Sequence, residues 1–421
     1  ASAAAITPSP SALTLSQAVA FALTQSPELQ RSQYLLRAAD ARITQAGIAP
    51  SPELSLQLEN IGGSGRYKNT NALETTFLLS QVIELGDKRA MRSKAAAANR
   101  QLVSVENDAR QLDILAEVTR RYIQVAVNQE EQILALQATT LAEQTLREVK
   151  KRVNAAKSPL VELNRAHIAL TKATIKEEHA EHELLTARRK LSAMWGELEP
   201  TFTTVTANLF ELPEPARFST LLARLKANPD FTRFASEQRL RDAELRVAEA
   251  RRVPNIQIGG GVRQLNESDD HALVLSLSVP LFAGSRNAGY IAEAAALRER
   301  VVFDERAAFI RAQADLFAIY QELQHALTEA RILKREVVPQ IAAILQQTEY
   351  AYQRGRYSYL DWIAAQGEML STQSRLIEAS ANAHRYFVDI ERLTGESLLP
   401  DAGESTSTRD TTDAQPQRST K

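Results

Sequence analysis

The 421-residue chain has no cysteine. Disulfides, thiol catalysis and thiolate metal sites are therefore excluded, and the absence suits an oxidising compartment. There is also no apolar run near the roughly 18 residues that a membrane-crossing helix needs. Net charge is nearly absent, at −1 with 24% charged residues, which removes nucleic-acid binding driven by overall charge. No glycine-rich phosphate loop, nucleophile motif or dense cluster of ligating side chains occurs, so an enzyme finds no support and no cofactor is expected.

What is present is a sentence said twice. Asn228-Pro229 echoes Ser26-Pro27 and Val253-Pro254 echoes Ser51-Pro52, both 202 residues apart. Leu277-Ser278 and Gly284 echo Leu79-Ser80 and Gly86 at 198, and Gly395 echoes Gly196 at 199. A period this long is a duplicated domain-sized unit, not a solenoid repeat. The expected division is an N-terminal linker (1–15), a first repeat (16–196), a connector (197–217), a second repeat (218–396) and a tail (397–421). The tail, rich in Ser, Thr, Asp and Gln, reads as disordered. The opening Ala1-Ser2-Ala3-Ala4-Ala5 reads as a mature end left by signal-peptide cleavage.

Each repeat has the same order: helix, strand, loop, strand, very long helix, tight turn, returning helix. Residues 16–47 are expected to be helical, with Pro27 near a break, until Pro50 and Pro52 stop them. Leu54, Leu56 and Leu58 alternate with Ser55, Gln57 and Glu59, a period-2 strand with one apolar face. The strands are expected at 54–60, 72–83, 256–263 and 272–280, the last presenting Leu273, Leu275, Leu277 and Val279 opposite Ser276 and Ser278. Four such strands cannot close a barrel, which takes about 8. Lipid does not tolerate an open sheet edge, so several chains would have to pool their strands. An ordinary half-buried sheet is the alternative that the strands alone leave open.

Neither proline nor glycine interrupts Lys88 to Ala155. A helix of that length spans roughly 100 Å, too long for a compact core. One heptad seam runs through Leu102, Val105, Ala109, Leu112, Ala116, Thr119, Ile123 and Ala126, and another through Leu115, Val118, Tyr122 and Val125. Two seams require neighbours on two sides, as in a ring or sheet of helices. The returning helix continues the pattern from Leu163 through Ala166, Leu170 and Ala173 to Leu191. In the second repeat the seam is Leu316, Tyr320, Leu323, Leu327, Ala330, Val337, Ile341 and Ile344, with a kink expected at Pro339. The hairpin tips fall near 156–160 and 354–360.

Three stretches then carry a resemblance. Gln81-Val82-Ile83-Glu84-Leu85-Gly86-Asp87-Lys88-Arg89 is similar to "IELGGKR", and Pro280-Leu281-Phe282-Ala283-Gly284-Ser285-Arg286 to "PLFDGGRR". The third is Tyr352-Gln353-Arg354-Gly355-Arg356-Tyr357-Ser358-Tyr359-Leu360-Asp361. Over residues 13–396 the chain resembles the TolC-like outer-membrane factors, in particular the heavy-metal efflux branch of CzcC and CusC type. The resemblance implies a mainly α fold with a small β part: a homotrimer whose twelve strands form one outer-membrane β-barrel, continuous with a periplasmic α-helical barrel of twelve staves. It implies a mixed belt from the 197–217 segment and the chain ends. Its partners would be outer-membrane lipid, a periplasmic membrane-fusion adaptor and an inner-membrane pump of the resistance-nodulation-division type. The function implied is passive conduction of divalent heavy-metal cations of the cobalt, zinc and cadmium type out of a Gram-negative cell, without catalysis. Relatives often carry an acylated N-terminal cysteine; without one, the barrel alone is expected to hold the chain in the membrane.

The resemblance also assigns a periplasmic gate. Asp361 matches an aspartate that rings the closed mouth, and Glu162 is its counterpart 199 residues earlier. Up to six carboxylates in a trimer would concentrate cations at a constriction. The plainer alternative makes both acids first-turn partners of helices that start after Ser158 and Ser358. The family's second aspartate is Ala364 here, leaving one ring. Tyr352 matches a tyrosine that bonds an acid on the neighbouring hairpin, here Glu162. An arginine position of the family holds Tyr357, with Arg356 as a displaced substitute. Lys157, Ser158, Pro159, Gly355, Tyr357 and Ser358 are the expected adaptor-contacting tips. His179 and His182, spaced i and i+3, could share a metal ion; the seam through Glu177, Ala180 and Leu184 leaves them on a solvated face. The competing readings are a duct for organic compounds or for copper and silver, and, in another class, a soluble periplasmic coiled-coil scaffold or adaptor. Adaptors have one helical hairpin, and this chain has two.

Overall fold

The structure, a computed structural model, describes residues 12–395. The opening residues read as a mature end, and the tail, lie outside that range. A two-residue strand β1 (Ala12–Leu13) leads into α1 (Leu15–Gln25), α2 (Pro27–Ala46), β2 (Glu53–Glu59), β3 (Glu74–Ile83), α3 (Lys88–Asn154) and α4 (Leu160–Ser192). After β4 (Thr204–Val205), the second repeat runs α5 (Phe218–Leu225), α6 (Pro229–Ala250), β5 (Ile256–Leu265), β6 (Asp270–Ser278), α7 (Ala283–Arg286) and α8 (Ala288–Ile332). A π-helical turn (Leu333–Val337) joins α8 to α9 (Val338–Gln353), and α10 (Tyr359–Thr394) returns. At 67 residues, α3 is roughly 100 Å long.

Four details depart from the sequence expectation. The helix expected over 16–47 is two helices, because Pro27 forces Ser26 out of helical geometry to ψ 123°. Ala12 and Leu13, expected in a linker, are strand and pair in parallel with Thr204 and Val205, where a belt of the 197–217 segment and the chain ends was expected. The strand expected at 272–280 runs instead over Asp270–Ser278, beginning and ending two residues earlier. Pro339 acts ahead of itself: the carbonyl it would clash with belongs to Arg335, inside the π turn, which opens the helix there. Beyond that wide turn the inward positions run Ile341, Thr348 and Tyr352, with Leu345 packed beside them, and the expected seam residue Ile344 is half exposed.

The four longer strands form one antiparallel sheet in the order β2-β3-β5-β6. Register aligns Leu54, Leu79, Gly260 and Leu275 on one face, and Leu56, Phe77, Val262 and Leu273 one row away. That face is bare; Leu275 is 88% exposed. The opposite face carries Ser55, Thr76, Ser80 and Ser276, and an ion cluster in which Arg263 meets Glu74 at 2.8 Å and Glu59 at 3.1 Å. A Cβ on Gly261 would sit 2.1 Å from the Phe77 carbonyl oxygen, so only glycine allows this strand pairing. Among the described residues no helix is long and apolar enough to cross a membrane. The most exposed large apolar side chains, Leu275 and Leu273, are on the sheet.

Below the sheet, α3 packs on α2, α4, α6 and α10, and α8 on α6 and α10. A core of Val19, Tyr122, Val125, Leu191, Trp195, Phe202 and Leu209 serves mainly the first repeat, with Ile377, Ala381 and Val388 of α10 packed into it. A second one, of Leu221, Leu225, Leu316, Leu323, Leu327 and Ile390, serves the other. The buried Tyr122 hydroxyl donates toward the carbonyls of Leu13 (3.0 Å) and Thr206 (2.7 Å), tying the β1–β4 strip to α3.

Candidate functional site

The two hairpins end side by side, and their turns are built alike. At 155–159 the Lys157 amide donates to the Arg152 carbonyl and the Ala156 amide to Val153, both at 2.9 Å. At 354–358 the Arg356 amide donates to Ala351 and the Gly355 amide to Tyr352, again at 2.9 Å. This paired pattern is a Schellman stop, which needs a left-handed residue at its bend. Gly355 supplies it at φ 72°, and Ala156 at φ 56°.

The returning helices start differently. Ser358 and Asp361 form a reciprocal capping box: the Asp361 amide donates to the Ser358 hydroxyl at 3.2 Å, and the Asp361 carboxylate accepts from the Ser358 amide at 3.0 Å and hydroxyl at 2.7 Å. These bonds, the hydroxyl's first, hold the exposed Asp361 carboxyl below its ordinary range. The plainer alternative for Asp361 is thus present in the geometry, and its charge still faces outward. Glu162 also lies in the first turn of its helix, but it forms no capping box, because the N-cap of α4 is Pro159, which makes no side-chain cap.

Glu162 instead faces the other hairpin. The Tyr352 hydroxyl lies 3.4 Å from its carboxylate. Tyr352 is only 2% exposed, stacked on Trp362 at 4.8 Å and edge-on to Tyr359 at 6.5 Å. Burial above all raises the Tyr352 phenol beyond its ordinary value, so it remains a donor. On its other side is Arg152, whose guanidinium carbon is 4.7 Å from the ring centroid. Arg152 donates to the Tyr352 carbonyl at 2.9 Å, the Gln353 carbonyl at 3.1 Å and the Ser158 hydroxyl at 3.2 Å. It therefore caps the free end of α9 from the neighbouring hairpin.

The structure thus brings Tyr352, Glu162 and Ser158 together. It does not bring in Arg356, whose side chain is exposed and makes no hydrogen bond or ion pair among the described residues. Lys157, Pro159, Gly355 and Tyr357 form the exposed ends. Sequence reasoning missed Arg152 and Trp362. No sequence signal singles out Arg152: the two turns align Ala156 with Gly355, which sets Val153 against Tyr352 and Arg152 against Ala351. His179 and His182 are exposed on α4, and no group of three or more potential metal ligands occurs among the described residues.

Comparison with known proteins agrees with this architecture. Residues 19–197 and 222–396 match the family described as outer membrane efflux protein. The cobalt-zinc-cadmium resistance protein CzcC of Cupriavidus metallidurans is 25% identical over 383 residues, covering 91% of this chain and 90% of that one. The nickel and cobalt resistance protein CnrC of the same organism is 25% identical over 267 residues, 63% of each chain. A solved structure of CusC superimposes with a TM-score of 0.74 at 16% identity, over 93% of this chain and 96% of that one.

Proposed function

The chain belongs to the outer membrane efflux protein family, and on that premise we propose that three copies assemble into one outer-membrane duct that releases divalent heavy-metal cations delivered by a periplasmic adaptor and an inner-membrane pump. The observation that carries the assembly is the sheet. It has an apolar face open to its surroundings and two unpaired edges, β2 and β6, and only closure with sister sheets satisfies both in lipid. The helices support the same reading: Phe303, Ile310 and Phe317 on α8, and Val161, Ile168 and Ile175 on α4, are exposed at heptad spacing. They are seams without a partner inside one chain.

The metal assignment rests on the likeness to CzcC and CnrC, and the tips supply a compatible entrance. Asp361 and Glu162 repeated around a threefold axis make an acidic mouth that favours cations. Arg152, Tyr352 and Glu162 hold the two hairpins of one protomer together in the closed arrangement. Energy comes from the pump, and the duct itself performs no chemistry. The test is a deletion strain on a tolerance panel of zinc, cobalt, cadmium, nickel and copper salts beside dyes and detergents. Sensitivity to divalent metals, restored by the gene, is expected. Sensitivity confined to dyes and detergents removes the metal assignment, and a purified chain that is monomeric without detergent removes the duct.

A further inference from the structure

The foot of the sheet carries a groove that conduction does not use. It encloses about 420 Å³ where β5 begins and β6 ends, between α3, α6 and the start of α8. Its floor is cationic, with Lys88, Arg92, Arg251 and Arg286 facing a single carboxylate, Glu84. Two of these cations are satisfied internally. Glu84 holds Arg92 through both oxygens, and the Lys88 ammonium donates to the Val253 carbonyl and the Asn255 side chain. Arg251 and Arg286 have no anionic partner among the described residues. Arg251 lies only against the Tyr290 ring, 5.7 Å from its centroid.

The rim of the groove is apolar and uncovered. Leu281 lines it and is 68% exposed, and its neighbour Phe282 is 76% exposed. Leu281 continues the odd-numbered outward row of Leu273, Leu275 and Leu277, and Phe282 sits at φ 62°, a conformation that bulky residues rarely take. Unpaired guanidinium groups beside bare apolar side chains, where the lipid-facing rows end, complement a molecule with an anionic head and a hydrocarbon body. Free phosphate would answer the cations and leave the rim in water.

We propose that this groove binds an anionic phospholipid of the periplasmic leaflet, with Arg251 and Arg286 donating to the headgroup phosphate and Leu281 and Phe282 against the acyl chains. The proposal rests on the reading that the outward rows face lipid. The full-length protein is reconstituted in phosphatidylcholine vesicles containing phosphatidylglycerol, floated, extracted in mild detergent and weighed by native mass spectrometry. Retention of phosphatidylglycerol over phosphatidylcholine by about tenfold is expected. Arg251→Gln with Arg286→Gln should abolish that preference, and Arg252→Gln, outside the groove, should leave it. Equal retention of the two lipids by the unaltered protein overturns the site, as does an unchanged preference in the double variant. Displacement of the lipid by excess inorganic phosphate would show an anion site and overturn the lipid assignment. A protein that fails to float overturns the barrel reading and the site with it; one that floats without lipid preference overturns the site alone.

Discussion

Replacing Arg152 by alanine removes two bonds from a charged donor to the last carbonyls of α9, one bond to Ser158 and a guanidinium–ring contact. Bonds to a charged group contribute about 1.5–3 kcal/mol each when buried, and an exposed cation–ring contact about 0.5–1 kcal/mol. Arg152 is half-buried, so the discounted total is about 2–3 kcal/mol, or roughly a 30- to 150-fold shift toward separated hairpins. The Tyr352 hydroxyl lies a long 3.4 Å from Glu162 and also faces Ser158, so Tyr352→Phe should shift the balance less than Arg152→Ala does, by about two- to tenfold. With no native cysteine, Lys157→Cys and Tyr357→Cys place a spin-label pair on the two tips, in assemblies with one labelled protomer. The distance distribution should be narrow, broaden in Arg152→Ala and be intermediate in Arg152→Lys, whose ammonium cannot stack or fork. Single-channel conductance should rise in the same order. A distribution and conductance unmoved by Arg152→Ala would refute the clamp.

Asp361 makes a pH prediction whose sign follows from its bonds. Ser358 holds the folded carboxyl below its ordinary value near about 3.9. The cap and its charge are therefore fully present above that value and are lost as pH falls through the lower folded value. The Asp361 share of cation selectivity in planar bilayers should stay flat from neutral pH down to about 4; a loss between pH 6 and 5 would contradict the assignment. Asp361→Ala combined with Tyr352→Phe should raise conductance, and no change would remove both residues from the gate. Leu275→Arg, on the bare face, should cost about 2–4 kcal/mol of barrel stability, measured as a lower urea midpoint in vesicles, whereas Ser278→Arg on the other face should cost far less. Equal losses would mean that the faces are misassigned.

The parts of the fold legible in the sequence were those written as periodicity. An uninterrupted run from Lys88 and two heptad seams announced α3, and alternating apolar residues announced β2, β3, β5 and β6 to within a few residues. Features that rest on one residue's backbone or on distant pairing left no periodic trace. Ala156 does at the first tip what Gly355 does at the second, and alanine carries no turn signal. The β1–β4 strip is two residues per strand, too short to alternate visibly. At the site, Tyr352 and Glu162 came from resemblance, whereas Arg152 required the two tips to be overlaid in space. The opening at Leu333–Val337 was anticipated as a kink but placed at the proline, although the steric conflict lies four residues upstream.

That opening makes the two repeats mechanically unequal. The first long helix is a continuous strut, whereas its twin is jointed between Ile332 and Val338. The joint is also leashed: the Lys334 ammonium reaches the Phe210 carbonyl at 3.0 Å and sits 5.9 Å from that residue's ring. Torque applied at the second tip can thus be taken up at the elbow and passed to the mid-height strip, and torque at the first has no comparable place to dissipate. A protein docking on both ends of this chain would meet one compliant lever and one stiff post.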